Sequence, residues 1–173
     1  DLSLHSQDYM AGERTFELLT QAAGRAGRGE RPGQVVIQTY DPEHAVIQAA
    51  AAQDYELFYR NEITYRKILK YPPVVSMIAV LITGEQEEQV QKCAEHLADY
   101  MRKTVSGEDI RVIGPSTPVI GKIHDVYRRI LYLKSEQEQV LLDAKVQLEL
   151  YAEQSGVQET CRLYFDLNPM KGY

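Results

Sequence analysis

Pro72-Pro73-Val74-Val75-Ser76-Met77-Ile78-Ala79-Val80-Leu81-Ile82 is the stretch on which the fold turns. Proline lacks the backbone N–H a helix needs and pushes the residue before it out of the α region, so a helical pattern reaching this point stops. Behind the prolines, Met77–Ile82 is a short unbroken apolar run, as expected of a central strand. A domain boundary therefore falls at the prolines, and the strand opens a new unit.

Working outward toward the C-terminus, residues 86–104 show helical spacing, with Val90, Cys93, Ala94, Leu97 and Met101 on one side. Ile110–Ile113 is a strand expected to end at Gly114-Pro115. Val126–Lys134 is a longer strand, preceded by a short arm over Val119–Ile123. Ser135-x-x-Glu138 has the form of a capping box for a second helix, with Val140, Leu141, Ala144, Leu148 and Tyr151 inward and Gly156 near its end. Cys161, Leu163, Phe165 and Leu167 alternate with polar residues in a last strand. The order β-α-β-β-α-β predicts an α+β unit of the split βαβ (ferredoxin-like) kind, with two helices on one face of an antiparallel sheet.

Working outward toward the N-terminus, Asp54 is positioned to cap a helix whose apolar positions are Phe58, Tyr59, Ile63, Tyr65 and Leu69. Asp41-Pro42 reads as an N-cap followed by proline at the first helical position, opening a helix to about Gln53. Val35–Tyr40 reads as a β-branched strand, free to pair irregularly or with a neighbouring chain, and Gly24–Gly33 as loop. Residues 11–23 read as a helix with Phe16, Leu19 and Ala23 on one face. The chain opens Asp1-Leu2-Ser3-Leu4 without an initiator Met and reads as a fragment of something longer.

Composition narrows the function classes. The net charge is −6 over 173 residues, and both sides of the Pro73 boundary are acidic, so any nucleic-acid contact must come from a local patch. No apolar run approaches the length of a membrane span and no signal-peptide pattern is present, which predicts a soluble, intracellular protein. Cys93 and Cys161 are far apart in sequence and outside any C-x-x-C pair, so two reduced thiols are expected. His44 follows Asp41-Pro42-Glu43 as an ordinary polar helix residue. His124 beside Asp125 has no nucleophile to serve. Glu85-Gln86-Glu87-Glu88 suits a helix N-terminus.

The sharpest chemical signal is Gln21-Ala22-Ala23-Gly24-Arg25-Ala26-Gly27-Arg28. A helix running into a glycine-bearing turn projects two guanidiniums three residues apart. Their planar, permanently charged forks match phosphate oxygens, and Gly24 and Gly27 let a ligand approach the backbone. A lone R-x-x-R is usually a solvated basic loop; the full Q-x-x-G-R-x-G-R string resembles motif VI of superfamily-2 helicases. The flanks narrow the resemblance. Pro32-Gly33-Gln34-Val35-Val36-Ile37-Gln38-Thr39-Tyr40-Asp41-Pro42-Glu43-His44, then Asp54-Tyr55, Phe58, Glu62, Arg66 and Tyr71-Pro72-Pro73 are similar in order and spacing to the PriA (primosomal protein N-prime) family. So are Gly114-Pro115 followed by Tyr127-Arg128-Arg129, and the closing Asp166-Leu167-Asn168-Pro169. Ala22 and Asn168 depart from the family's usual Val and Asp.

That resemblance implies an ATP-driven 3′ to 5′ DNA helicase that recognises stalled or abandoned forks and reloads the replication machinery. Gln21, Arg25 and Arg28 take the nucleotide-facing roles, with Arg28 as the arginine finger. Residues 1–53 become the end of the second RecA-like helicase lobe, 54–73 a connecting helix and 74–173 the C-terminal α+β domain. Forked and single-stranded DNA, single-strand-binding protein and other primosome proteins are the implied partners, and the bacterial cytoplasm the implied place. No G-x-x-x-x-G-K-[ST] and no D-E-x-H occurs, so ATP and Mg, like the family's zinc, belong to sequence upstream. On the strand Val126–Lys134, alternation puts Arg128, Ile130 and Tyr132 on one face. With Lys122 nearby, Arg128 and Tyr132 form a candidate surface for phosphates and bases.

Overall fold

The computed structural model describes residues 4, 8–26, 33–105 and 110–172, in two compact units that divide between Leu69 and Lys70. The N-terminal unit holds three helices, α1 (Ala11–Ala26), α2 (Ala45–Ala52) and α3 (Tyr55–Leu69). Phe16, Val46, Ala49, Ala50 and Phe58 form its core, with the Phe16 and Phe58 rings stacked at a centroid distance of 4.3 Å. Asp54 caps α3 as its position implied, its Oδ1 accepting from the Leu57 N–H at 2.9 Å.

Four sequence expectations need correction in this unit. First, α1 runs on through Gly24 and Arg25, because nothing in one glycine outweighs the alanines around it. Second, α2 begins three residues after Pro42. Asp41-Pro42-Glu43-His44 closes as a turn, with the His44 N–H donating to the Asp41 carbonyl at 3.2 Å. His44 is then the N-cap, its Nδ1 accepting from the Val46 N–H at 3.2 Å. Third, Val35–Tyr40 is not a strand. It pairs with no described strand, and Val36 and Tyr40 are 89% and 95% exposed. Fourth, α3 buries Phe58 and Arg66 while Tyr59, Tyr65 and Leu69 lie exposed.

The C-terminal unit is α+β. Its elements are β1 (Ser76–Gly84), α4 (Glu87–Thr104), β2 (Arg111–Ser116), β3 (Lys122–Ile123), β4 (Val126–Ser135), α5 (Glu138–Gln154), α6 (Val157–Thr160) and β5 (Arg162–Leu167). The sheet runs β2-β4-β1-β5 with every neighbour antiparallel, and β3 pairs with the start of β4. One core joins Ile78, Val80 and Ile82 of β1 and Leu131 and Leu133 of β4 to Val90, Leu97 and Met101 of α4 and Leu141 and Leu148 of α5. Both long helices therefore cover the same sheet face. Each leucine so buried contributes roughly 1.5–3 kcal/mol.

Here the differences are local. β2 continues through Gly114-Pro115, with a register shift between Ile113 and Ser116. Gly114 has φ +100°, and a Cβ there would meet the Ile130 carbonyl oxygen at 2.8 Å. The capping box does not form. Ser135 ends β4, and its Oγ accepts from the Gln137 N–H at 3.1 Å, while Ser76 Oγ donates to Glu138. His124 and Asp125, at φ 46° and 64°, are the two central residues of the β3–β4 hairpin, the backbone a primed turn demands. The thiols of Cys93 and Cys161 flank the Thr160 hydroxyl at 3.6 and 3.9 Å. Burial pushes the Cys161 thiol up to about 12, which keeps it protonated.

Candidate functional site

The motif predicted to face a nucleotide lies at the C-terminal end of α1. Gln21 and Arg25 are one helical turn apart, share a face and are exposed. Gly24 stands between them, and a Cβ there would meet nothing within 4 Å, so packing within the chain does not require glycine. Gly27 and Arg28 lie outside the described residues.

The opposite end of α1 is held by a buried charge cluster. Arg66 of α3, its side chain 7% exposed, donates from Nε to Glu62 at 2.8 Å and from Nη2 to Glu13 of α1 at 2.7 Å. The Tyr9 ring lies 5.4 Å from its guanidinium. Burial works against the charge, but Glu62 and then Glu13 outweigh it and hold the Arg66 pKa above its ordinary value. Breaking such a pair by removing one partner strands the others, so the cluster fixes how α1 and α3 meet. A cavity of about 310 Å³ opens beside it, lined by Tyr9, His44, Phe58, Asn61 and Tyr65 among others.

In the C-terminal unit, register decides which side chains share a surface. Leu131 and Leu133 point into the helix-covered core, so Arg128, Ile130 and Tyr132 lie on the opposite face. Arg128 is half-buried, its Nη1 donating to the Ile120 carbonyl at 3.0 Å. Tyr132 sits between Ile113 and Ala79. Lys122 pairs in register with Tyr127, which places it with the other set. It binds Asp125 at 2.8 Å and lies 4.7 Å from the Tyr127 ring centroid, two contacts that hold its pKa above the ordinary value.

Sequence reasoning passed over three further cations of the Arg128 face, one of them Arg162 of β5, opposite Thr83. Lys134 is two residues beyond Tyr132, and Arg111 is its direct cross-strand neighbour on β2. Lys134 was within reach of the alternation rule; Arg111 was not, because its position depends on a register that the sequence does not print. The middle of this face is closely packed, with Met77, Ala79 and Ile130 at most 3% exposed. Among the described residues no three His, Cys, Asp or Glu side chains converge as metal ligands, and no helix is long and apolar enough to cross a membrane.

Comparison with known proteins adds the family. Residues 67–170 match the model of the primosomal protein N C-terminal domain. The replication restart protein PriA of Bacillus subtilis is 37% identical over 169 residues, covering 98% of this chain and 21% of its own length. The PriA of a Synechocystis strain is 40% identical over 134 residues, covering 78% and 16%, and that of Thermotoga maritima 36% identical over 142 residues, covering 82% and 18%. The chain thus spans about a fifth of the length of these relatives, and it belongs to the PriA replication restart family.

Proposed function

We propose that the chain is the C-terminal part of an ATP-dependent 3′–5′ DNA helicase that acts at stalled or abandoned replication forks and directs primosome assembly. The observation that carries this reading is the exposed Gln21–Arg25 face at the end of α1, three residues in sequence before the second arginine of a motif VI string, in a chain of this family. Residues 1–53 are read as the end of the second RecA-like lobe, 54–73 as a connecting helix, and 74–173 as a split βαβ domain. The strand order β2-β4-β1-β5, with both long helices on one face, supports the last of these.

In this reading Gln21 and Arg25 bind a nucleotide held mainly by the rest of the enzyme, and Arg28 approaches its terminal phosphate. The donor set fits: Arg25 is exposed and makes no ion pair among the described residues, leaving its fork available to phosphate oxygens. Bound Mg·ATP supplies the phosphoryl group, and the arginines neutralise charge as it departs. Zinc would be held upstream. The C-terminal domain contributes a surface for forked or single-stranded DNA around Arg128 and Tyr132, together with sites for single-strand-binding protein and primosome partners. The protein works in the bacterial cytoplasm, at the nucleoid.

The test is made in the full-length enzyme. Arg28→Ala is expected to lower the DNA-stimulated kcat for ATP by roughly 10³ or more, with nucleotide binding much less affected. The 173-residue chain alone is expected to hydrolyse no ATP, because it has no phosphate-cradling G-x-x-x-x-G-K-[ST]. The second reading is a non-catalytic DNA- or protein-binding module, in which the arginines are incidental. Near-normal turnover by Arg28→Ala would return the arginines to the surface role that reading gives them.

A further inference from the structure

The sheet face opposite the two helices is out of character with the rest of the chain. Among the described residues, cross-strand register places Arg111, Lys134, Arg128 and Arg162 on it, against one carboxylate, Asp166. This occurs in a protein whose net charge is −6. The cations gather at its two ends. Arg128 and Arg162 both neighbour Thr83 at one end, while Arg111 and Lys134 pair directly at the other. Six residues of β4 separate Lys134 from Arg128, about 20 Å at strand rise. Tyr132 and Tyr164 lie between the ends on the same face.

The Arg111–Lys134 pair is the more telling end. Residues directly opposite on antiparallel strands have Cβ atoms about 4.5–5.5 Å apart, and like charges there are destabilising. Neither cation has a carboxylate partner among the described residues. Among the described residues, the Lys134 ammonium meets the Tyr71 ring, 3.5 Å from its nitrogen to the centroid. Burial, and after it the Arg111 charge, lowers the Lys134 pKa to about 8. Two cations thus stand side by side, one of them buried, with no carboxylate among the described residues to neutralise them.

We propose that Arg111 and Lys134 form a phosphate site for the backbone of a DNA strand that runs along β4 toward Arg128 and Arg162. Arg111, exposed, makes the contact with its planar fork; Lys134, buried beside it, adds charge from beneath. Tyr132 and Tyr164 offer rings to the bases between the two ends. The site rests on the DNA-binding reading given above, but it assigns the leading contact to residues which that reading did not include. Among the described residues, four cations against one carboxylate on this face favour an anionic occupant, and two cationic ends about 20 Å apart suit an extended polyanion such as a DNA strand.

The experiment titrates a labelled single-stranded oligonucleotide with the 173-residue chain over a series of salt concentrations. Arg111→Gln is expected to weaken binding about tenfold at low salt and to reduce the slope of log K against log salt by about 1. Its melting temperature should be unchanged or raised, because a like-charge pair has been removed. Arg111→Lys should retain most of the salt slope. Lys134→Met should give a smaller loss of affinity in the same direction. If the unmutated chain binds and Arg111→Gln superimposes on it, this site is wrong, and the DNA reading then stands or falls on Arg128→Ala with Tyr132→Ala. If the unmutated chain does not bind DNA at any salt concentration, both readings fall together.

Discussion

In the C-terminal unit Ile78, Val80 and Ile82 alternate into a core and are at most 2% exposed, whereas in the N-terminal unit Val35 and Val36 are 46% and 89% exposed. Both stretches are β-branched and apolar, and both read as strands. The difference lies in what runs beside them. β1 exchanges ladders with β4 on one side and β5 on the other, while residues 35–40 have no described strand as a neighbour. Propensity prepares a segment for a sheet, but a paired edge and a covered face decide whether it becomes a strand. The N-terminal unit relies instead on a five-residue core and a buried arginine.

This contrast is sharpest when core residues are cut. Leu131→Ala, at a fully buried position in the middle of the β4 core face, should cost the C-terminal unit about 2–5 kcal/mol. Hydrogen exchange resolved by residue would check it, with protection falling through residues 76–167 and staying unchanged in α1–α3. A uniform loss across both units would mean that they unfold as one, and the comparison would collapse.

Arg66→Met tests the N-terminal unit in turn. Removing the guanidinium leaves Glu62 and Glu13 facing each other without their partner, and a loss of about 3 kcal/mol is expected there. Denaturant melts followed at α1 should show it. A second variant, Arg66→Met with Glu62→Gln and Glu13→Gln, should recover much of the stability, since the stranded charges go with the arginine. If the triple variant is as unstable as the single one, packing and not charge holds α1 to α3.

The same contrast marks what could be read in advance. In the C-terminal unit the element order and the inward faces of α4 and α5 were legible, because periodicity of 3.6 and 2 is imposed by a core within the unit. Its errors were at ends. Gly114-Pro115 reads as a stop but is taken up in a register shift, and Ser135-x-x-Glu138 reads as a cap although β4 claims Ser135. In the N-terminal unit the pattern misled more. Arg66 sits at a position where an apolar residue is expected, and only the placement of Glu13 from another helix makes it a core residue. For the candidate sites, Gln21 and Arg25 came from a string of local residues, whereas the Arg111–Lys134 pair is a product of cross-strand register.

A smaller effect probes Lys134. Its folded pKa, near 8, lies below the 10.5 of a free lysine, through burial and then through Arg111. Between those values the unfolded chain holds a proton that the folded chain has lost, so stability rises as pH rises through that window. Cys161 acts oppositely above pH 9, where an unfolded thiol ionises and the buried one, pushed up to about 12, does not. The clean interval is therefore from about pH 8 to 9. Urea midpoints of the C-terminal unit should climb across it in the unmutated chain and stay level in Lys134→Met. A level profile in both would show that the lysine is better solvated than its burial implies.

The smallest expected effect goes to the centre of the comparison. Val→Thr replaces a methyl by a hydroxyl at nearly constant volume, so it asks only whether the side chain is in water. At Val36, 89% exposed, the hydroxyl stays hydrated, and stability should change by no more than about 0.5 kcal/mol. At Val80, fully buried between Leu131 and Phe165, the hydroxyl is taken out of water among apolar side chains, where the carbonyls already accept ladder bonds. An unsatisfied buried hydroxyl costs about 1–3 kcal/mol. The two variants thus differ only in environment, and paired melts of the 173-residue chain measure that environment directly. If Val36→Thr proved as costly as Val80→Thr, residues 35–40 would be packed in solution, against another copy of the chain or a segment of it. The exposed run would then be a strand after all, with its partner supplied from outside the described residues.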